Sequence, residues 1–162
     1  MFKKYPCTMQ HDQSDCAAAV VSTVLLSYKK ELSIMKIRET IGTDMYGTTV
    51  SGIVTGLEKL HFTVKAVRVG IEELYPKLTF PAILQVKNGL GQNHFIVLHR
   101  VTKSSVFYVA DPAKGNEKLT HDELDKIYQG ISLWMVPNSD VEKGALKGKG
   151  LWELFGALIF SQ

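Results

Sequence analysis

The period of the hydrophobic pattern changes near residue 61, and that change constrains the fold more than any other feature of the chain. Before it, apolar side chains recur at spacings of three and four; after it they alternate or form short β-branched and aromatic runs. Cys16 to about Lys29 is apolar nearly all round, which predicts a buried central helix, with Ser14 or Asp15 available as its cap. Ile34, Ile37 and Ile41 predict a second helix, capped by Ser33 and stopped by Gly42, and Val50, Ile53, Val54, Leu57 and Leu60 a third. Strands are expected at Phe62–Val69, Phe80–Val86, His94–Val101, Ser105–Ala110 and Ile131–Val136. Thr120-His121-Asp122-Glu123 is a capping-box sequence that opens a short helix to about Tyr128, closed by Gly130. Helices followed by strands indicate an α+β fold.

The 162 residues, 45% of them hydrophobic, suffice for one core. From Pro137 to Gly150 the chain turns polar, with Lys143, Lys147 and Lys149 among Gly144, Gly148 and Gly150. The expected division is therefore a domain over 1–137, then a linker and the start of a following segment over 138–162. The apolar run Leu151–Phe160 reads either as the beginning of an amphipathic or membrane segment or as a C-terminal helix docked on the domain. No stretch reaches the roughly 20 apolar residues of a membrane span, so the domain itself is expected to be soluble.

Several function classes lose support at this level. The formal charge of +3 is too small and dispersed to indicate nucleic acid. Neither a phosphate-binding glycine loop nor a paired C-x-x-C pattern occurs, so no cofactor or metal is expected. The two cysteines, Cys7 and Cys16, accompany no secretion signal and read as free thiols in a reducing compartment rather than as a disulfide.

Cys16 stands at a helix start, where partial positive charge and unpaired N–H groups favour a thiolate. Burial as a small core residue is the competing reading. The strands His94–Val101 and Ser105–Ala110 can form a hairpin around a two-residue turn at Thr102-Lys103. In that register His94 faces Asp111, with Cβ atoms roughly 4.5–5.5 Å apart, close enough for a carboxylate to accept the imidazole N–H. Gln10, in the extended segment before the helix, can offer its amide to an oxyanion. A thiol, an imidazole and a carboxylate together are the parts of an acyl-transfer site. His11, His61, His99 and His121 lack metal-ligand spacing and read as ordinary polar residues, and His99, five positions from His94, falls on the opposite face under strict alternation. Cys7, with no helix start after it, reads as a packed thiol.

Four motifs in order, Gln10-His11-Asp12-Gln13-Ser14-Asp15-Cys16, Pro81-Ala82-Ile83-Leu84, His94-Phe95-Ile96-Val97-Leu98 and Asp111-Pro112-Ala113-Lys114-Gly115, resemble the bacteriocin-processing peptidase domain of peptidase-containing ABC transporters. The resemblance runs from about Tyr5 to Val136. It implies a papain-like fold, a helical half carrying the cysteine against an antiparallel sheet carrying the histidine and aspartate. By position it implies Cys16 as nucleophile, His94 as base, Asp111 as its orienting acid and Gln10 as the oxyanion donor. Ala17 departs from the family, in which glycine commonly follows the cysteine. The implied activity is cleavage of a precursor peptide after a Gly-Gly-type dipeptide, on the cytoplasmic face of a bacterial membrane, before export. The implied partners are a precursor with an amphipathic leader helix and the membrane and ATPase domains of the same transporter, with ATP used only in a separate nucleotide-binding domain. Apolar side chains near Met45-Tyr46 and in the third helix are candidates for the leader groove, alongside plain core packing. Two other readings share the fold: a leader-binding module without catalysis, and acyl transfer to an amine.

Overall fold

The computed structural model describes residues 5–45, 47–74 and 81–139. Nearly all of the expected linker, the Leu151–Phe160 run and Tyr46 lie outside the described residues.

Helix α1 (Cys16–Ser27) buries side chains all round its axis, as its sequence requires, and Ala17 and Ala18 are fully enclosed. Neither Ser14 nor Asp15 caps it with a side chain. The chain enters α1 through a 3-10 turn, Gln13–Asp15, whose own cap is Asp12, which accepts from the Ser14 N–H at 2.8 Å. Asp15 turns inward instead and pairs with Arg38. A buried carboxylate is tolerated when a cation neutralises it, and that demand outweighs a surface capping bond.

Helix α2 (Ile34–Ile41) has the expected ends: Ser33 Oγ accepts from the Lys36 N–H, and Gly42 closes it at a left-handed φ of 71°. Helix α3 (Val50–Lys59) is capped by Thr49. The two pack through a glycine, since a Cβ at Gly56 would stand 2.4 Å from Ile41 Cγ2 and 3.0 Å from Ile41 Cα. Among the described residues no helix is long and apolar enough to cross a membrane.

The strands β1 (Phe62–Arg68), β2 (Ala82–Lys87), β3 (Asn93–Val101), β4 (Val106–Asp111), β5 (Gly115–Thr120) and β6 (Tyr128–Pro137) form one antiparallel sheet in the order β1-β6-β2-β3-β4-β5. Helices α1 to α3 cover one face, burying Val20, Val24, Ile37 and Leu57 against Ile83, Val97 and Leu133. On the other face Leu84, Ile96, Leu98 and Trp134 pack with Leu74 and with Leu124 of α4 (His121–Asp125).

Three expectations change. Strand β5 was not expected, because an edge strand reading Gly-Asn-Glu-Lys-Leu-Thr, half-buried on one side only, carries almost no hydrophobic signal. Helix α4 has both arms of the predicted capping box but ends at Asp125, and Gly130, at φ 80°, lies within β6 rather than closing the helix. The β3–β4 turn is three residues, Lys103–Ser105, closed by the Thr102 N–H donating to the Val106 carbonyl at 3.0 Å, with Ser105 left-handed at φ 61°, not the two-residue turn Thr102-Lys103.

That longer turn changes the register. Val101 pairs with Phe107 and Arg100 with Tyr108, whereas beyond a bulge at His99, Leu98 pairs with Val109 and Val97 with Ala110. Continuing the second register sets Asp111 opposite Ile96 rather than His94. His94 is the diagonal neighbour on the same side. Without the bulge Asp111 would face Val97, and the two candidate residues would point to opposite sides of the sheet. His99 is buried within the bulge, with its ring stacked on Tyr5 at 4.8 Å and its Nε2 bonded to the Pro6 carbonyl at 2.9 Å. It is a structural residue, not an ordinary solvated one.

Gly56→Ala is expected to destabilise the domain by about 1–3 kcal/mol, because the new methyl must displace Ile41 from a filled core; urea unfolding monitored by circular dichroism measures this directly.

Candidate active site

Cys16, His94 and Asp111 meet at one end of the sheet, at the first residue of α1, near the start of β3 and at the end of β4. All three are buried, with exposures of 8%, 5% and 7%. His94 Nε2–H donates to Asp111 Oδ1 at 2.8 Å, and the Ala113 N–H donates to the same oxygen at 2.8 Å. The Cys16 sulfur lies next to His94, close enough to help raise the imidazole pKa. Since Nε2 is engaged by the carboxylate, Nδ1 is left for the sulfur. A histidine gripped in this way has one tautomer and one ring orientation available.

The charges support one another. Burial acts against an imidazolium, but the hydrogen bond accepted by Asp111, the neighbouring Cys16 sulfur and the charges of both outweigh it, and the His94 pKa is pushed up to about 9. Burial likewise opposes the Asp111 carboxylate. The His94 hydrogen bond, the Ala113 N–H and the charges of His94 and Lys114 prevail and hold its pKa below the ordinary carboxyl value. At neutral pH the pair is an imidazolium-carboxylate couple set beside the Cys16 sulfur.

The segment before α1 is tied down along its length. Asn116 Nδ2 donates to the Tyr5 carbonyl at 2.8 Å, the Thr8 N–H to Thr23 Oγ1 at 2.9 Å, and the Gln10 N–H to the Pro112 carbonyl at 2.9 Å. Gln10 is thereby anchored one residue past Asp111. Its Oε1 is buried with no hydrogen-bond partner among the described residues, so that end of the amide is not consumed by the fold. Cys7 is a free, half-buried thiol whose sulfur donates weakly to the Asp111 carbonyl at 3.8 Å. Burial, and behind it the charge of Asp111, push its pKa up, which makes it a poor nucleophile.

Two cavities flank the Cys16–His94 pair. One, of about 460 Å³, is lined by Gln10, Gln13, Ser14, Asn88, Gln92, Asn93 and His94, with Met45 and Ala113. The other, of about 430 Å³, is lined by Cys16, Thr48, Thr49, Val50, Gln85 and Phe95, with Asp44 and Gly47. Gln13 and Asn93 belong to both, so the cavities are two ends of one cleft. The β2–β3 loop is a part of the site that no sequence motif above includes. Its signal was present in Asn88-Gly89 and Gly91, turn residues directly before His94. Among the described residues no group of three His, Cys, Asp or Glu side chains is placed to hold a metal. His11 and His61 are exposed, and His121 lies beside Glu72 and Asp122, away from the cleft.

The family model described as Peptidase C39 matches residues 4–140. The chain belongs to the peptidase C39 family. This C39 domain is 32% identical over 151 residues to the lactococcin-G-processing and transport ATP-binding protein of Lactococcus lactis subsp. lactis, covering 93% of the chain and 21% of that protein. It is 29% identical over 153 residues to the transport/processing ATP-binding protein ComA of Streptococcus pneumoniae, covering 93% and 21%. The chain thus spans about a fifth of the length of these relatives. Its structure is similar to that of the peptidase domain of Streptococcus ComA, a bi-functional ABC transporter, with TM-score 0.77 and 26% identity over 82% of this chain and 98% of that one. It is also similar to a double glycine motif protease from an AMS/PCAT transporter in complex with the leader peptide, with TM-score 0.75 and 29% identity over 83% and 94%. The fold is the papain-like one expected, with six antiparallel strands against a helical half.

The His94 titration should report the carboxylate directly. In Asp111→Asn the neutral amide no longer stabilises the imidazolium while burial still opposes it, so the midpoint, near 9 in the parent, is expected to fall. Imidazole NMR shifts followed against pH measure it, and an unmoved midpoint would mean that Asp111 does not control the histidine.

Proposed function

We propose that this C39 domain removes the leader from a precursor peptide by hydrolysis after a Gly-Gly-type dipeptide. The observation that carries the reading is the Cys16 sulfur set beside the hydrogen-bonded His94–Asp111 pair where the two cavities adjoin. An imidazolium held beside the sulfur is the counter-ion that a thiolate nucleophile requires. The sulfur attacks the carbonyl carbon of the second glycine, and the negative charge that develops on the carbonyl oxygen is met by the Gln10 amide. Collapse to the thioester breaks the C–N bond as His94 gives its proton to the departing amine. His94 then takes a proton from water, which attacks the thioester, and the leader leaves with a free carboxyl while Cys16 is restored. Asp111 holds the imidazole in place throughout and keeps it basic. No step uses a cofactor.

Small residues before the cut suit a site enclosed between α1 and β3, where bulkier side chains would collide with its walls. An amphipathic leader helix, docked away from the cut, supplies binding energy that a Gly-Gly dipeptide lacks. The relatives' names speak of processing together with ATP-binding transport, and the chain matches about a fifth of their length. That supports a division in which residues 1–137 form the peptidase domain and 138–162 lead to membrane and ATPase domains of the same transporter. ATP would be used in those domains only, and the peptidase would work at the cytoplasmic face of a bacterial membrane.

The direct test is mass spectrometry of a peptide with an amphipathic leader ending in Gly-Gly, incubated with the domain. A single cut after the second glycine is expected, absent in Cys16→Ala; turnover retained in that variant would overturn the mechanism. Gln10→Ala is expected to lower kcat by about 10²–10³-fold with a smaller effect on KM, as for loss of an oxyanion donor. Steady-state kinetics on the same peptide distinguish this from a defect in binding.

A further inference from the structure

The two ends of the cleft are chemically unlike, and the unlikeness gives the bound peptide a direction. Cys16 lines one cavity and His94 the other. In thioester formation the acyl group stays on the sulfur while the leaving amine must stand where the imidazole can protonate it. The acyl side of the substrate therefore lies toward the cavity walled by Thr48, Thr49 and Phe95, and the released side toward the cavity bordered by the β2–β3 loop.

That second cavity is rich in amides. Gln13, Asn88, Gln92 and Asn93 line it together with Gln10, and among its described lining residues the one ionisable side chain is His94, whose charge is paired with Asp111. Its loop is firmly built: Asn88 Oδ1 accepts from the Leu90 N–H at 2.9 Å and the Gln92 N–H at 3.0 Å, and the Asn88 N–H donates to the Gln92 carbonyl at 2.9 Å. Two amide oxygens on the rim are already used, Gln92 Oε1 by Asn88 Nδ2 at 3.2 Å and Asn93 Oδ1 by Lys87 Nζ at 2.7 Å. The Nε2 of Gln92 and the Nδ2 of Asn93 have no acceptor among the described residues, so the rim presents N–H donors. Such a rim bonds peptide carbonyls and uncharged or acidic side chains, and has no acceptor group of opposite charge to offer a lysine.

We propose that this amide-lined cavity receives the first residues of the released peptide, and that Gln92 on the β2–β3 loop is a specificity-determining residue for the residue directly after the cut. This rests on the peptidase reading above. Gln92 is exposed, and the charges already near the cavity, the His94 imidazolium paired with Asp111 and the Lys87 ammonium bonded to Asn93, are the same in every variant at 92, so a new charge there acts against a constant background.

The test compares two peptides identical through the Gly-Gly dipeptide, with Lys or Glu as the first released residue, cleaved by the parent, Gln92→Glu and Gln92→Lys. Gln92→Glu keeps an oxygen for Asn88. The ratio of kcat/KM for the Lys peptide over the Glu peptide is expected to rise about threefold to tenfold in Gln92→Glu and to fall by a similar factor in Gln92→Lys. The same charge pair placed three residues before the cut should give a ratio unaffected by position 92. So should Met35→Glu, on the exposed side of α2 and outside the cleft, with the original pair. Equal ratios in all variants, or a response confined to the charge before the cut, would overturn the assignment while leaving cleavage itself intact. Failure of the parent to cut either peptide would instead sink the peptidase reading and this inference with it.

Discussion

A strand offers alternate side chains to opposite faces, so two residues on neighbouring strands can meet across a sheet only if their register has the right parity. His94 and Asp111 depend on this condition, and everything else at the site depends on them. The three-residue turn Lys103–Ser105 starts the β3–β4 pair in a register of the wrong parity, and the one-residue bulge at His99 corrects it. The bulge is not left as a weak point in the sheet. The extra residue is a buried imidazole held by the Tyr5 ring and the Pro6 carbonyl. The correction of register is thus tied to the segment that carries Gln10 toward the same end of the sheet.

Burial of ionisable groups at this end is made tolerable by pairing. An isolated buried carboxylate costs several kcal/mol, and a lone buried imidazolium is disfavoured in the same way. Asp111 has His94 and the Ala113 N–H, and Asp15 has Arg38 from α2. The second pair stands immediately before Cys16 and links the helix start to α2 and, through Ile41 and Gly56, to α3. Helical and sheet halves therefore each bring one neutralised acid to the site. The acid of the sheet half sets the state of the histidine, and the acid of the helical half sets the course of the chain into α1.

The site also shows how a papain-like arrangement separates its tasks in space. The sulfur comes from a helix terminus, the imidazole and carboxylate from adjacent strands, and the amide from an extended segment bonded to Pro112. The cleft runs past the sulfur on one side and the imidazole on the other, so its two ends differ in the group they present.

Much of this is legible in the sequence. The all-apolar pattern of Cys16–Ser27 called for a central helix, the Ser33 and Gly42 signals bounded α2, and Thr120 and Glu123 opened α4, because caps and periodicity are local properties. Cys16, His94, Asp111 and Gln10 were legible as candidates from their residue types and the motifs around them. The edge strand β5 was not, since a polar strand gains its place from a neighbour rather than from its own sequence. Nor was the cap of α1, because Asp15 has a choice between a local N–H and a distant arginine that only packing decides. The register of β3 and β4 was the deepest of these limits. The sequence by itself determined that a histidine-bearing strand and an aspartate-bearing strand would form a hairpin. Only the tertiary structure decided which residues oppose each other, because a turn length and a bulge at His99 are settled by long-range contacts to Tyr5 and Pro6, and a shift of one residue would have turned His94 and Asp111 apart.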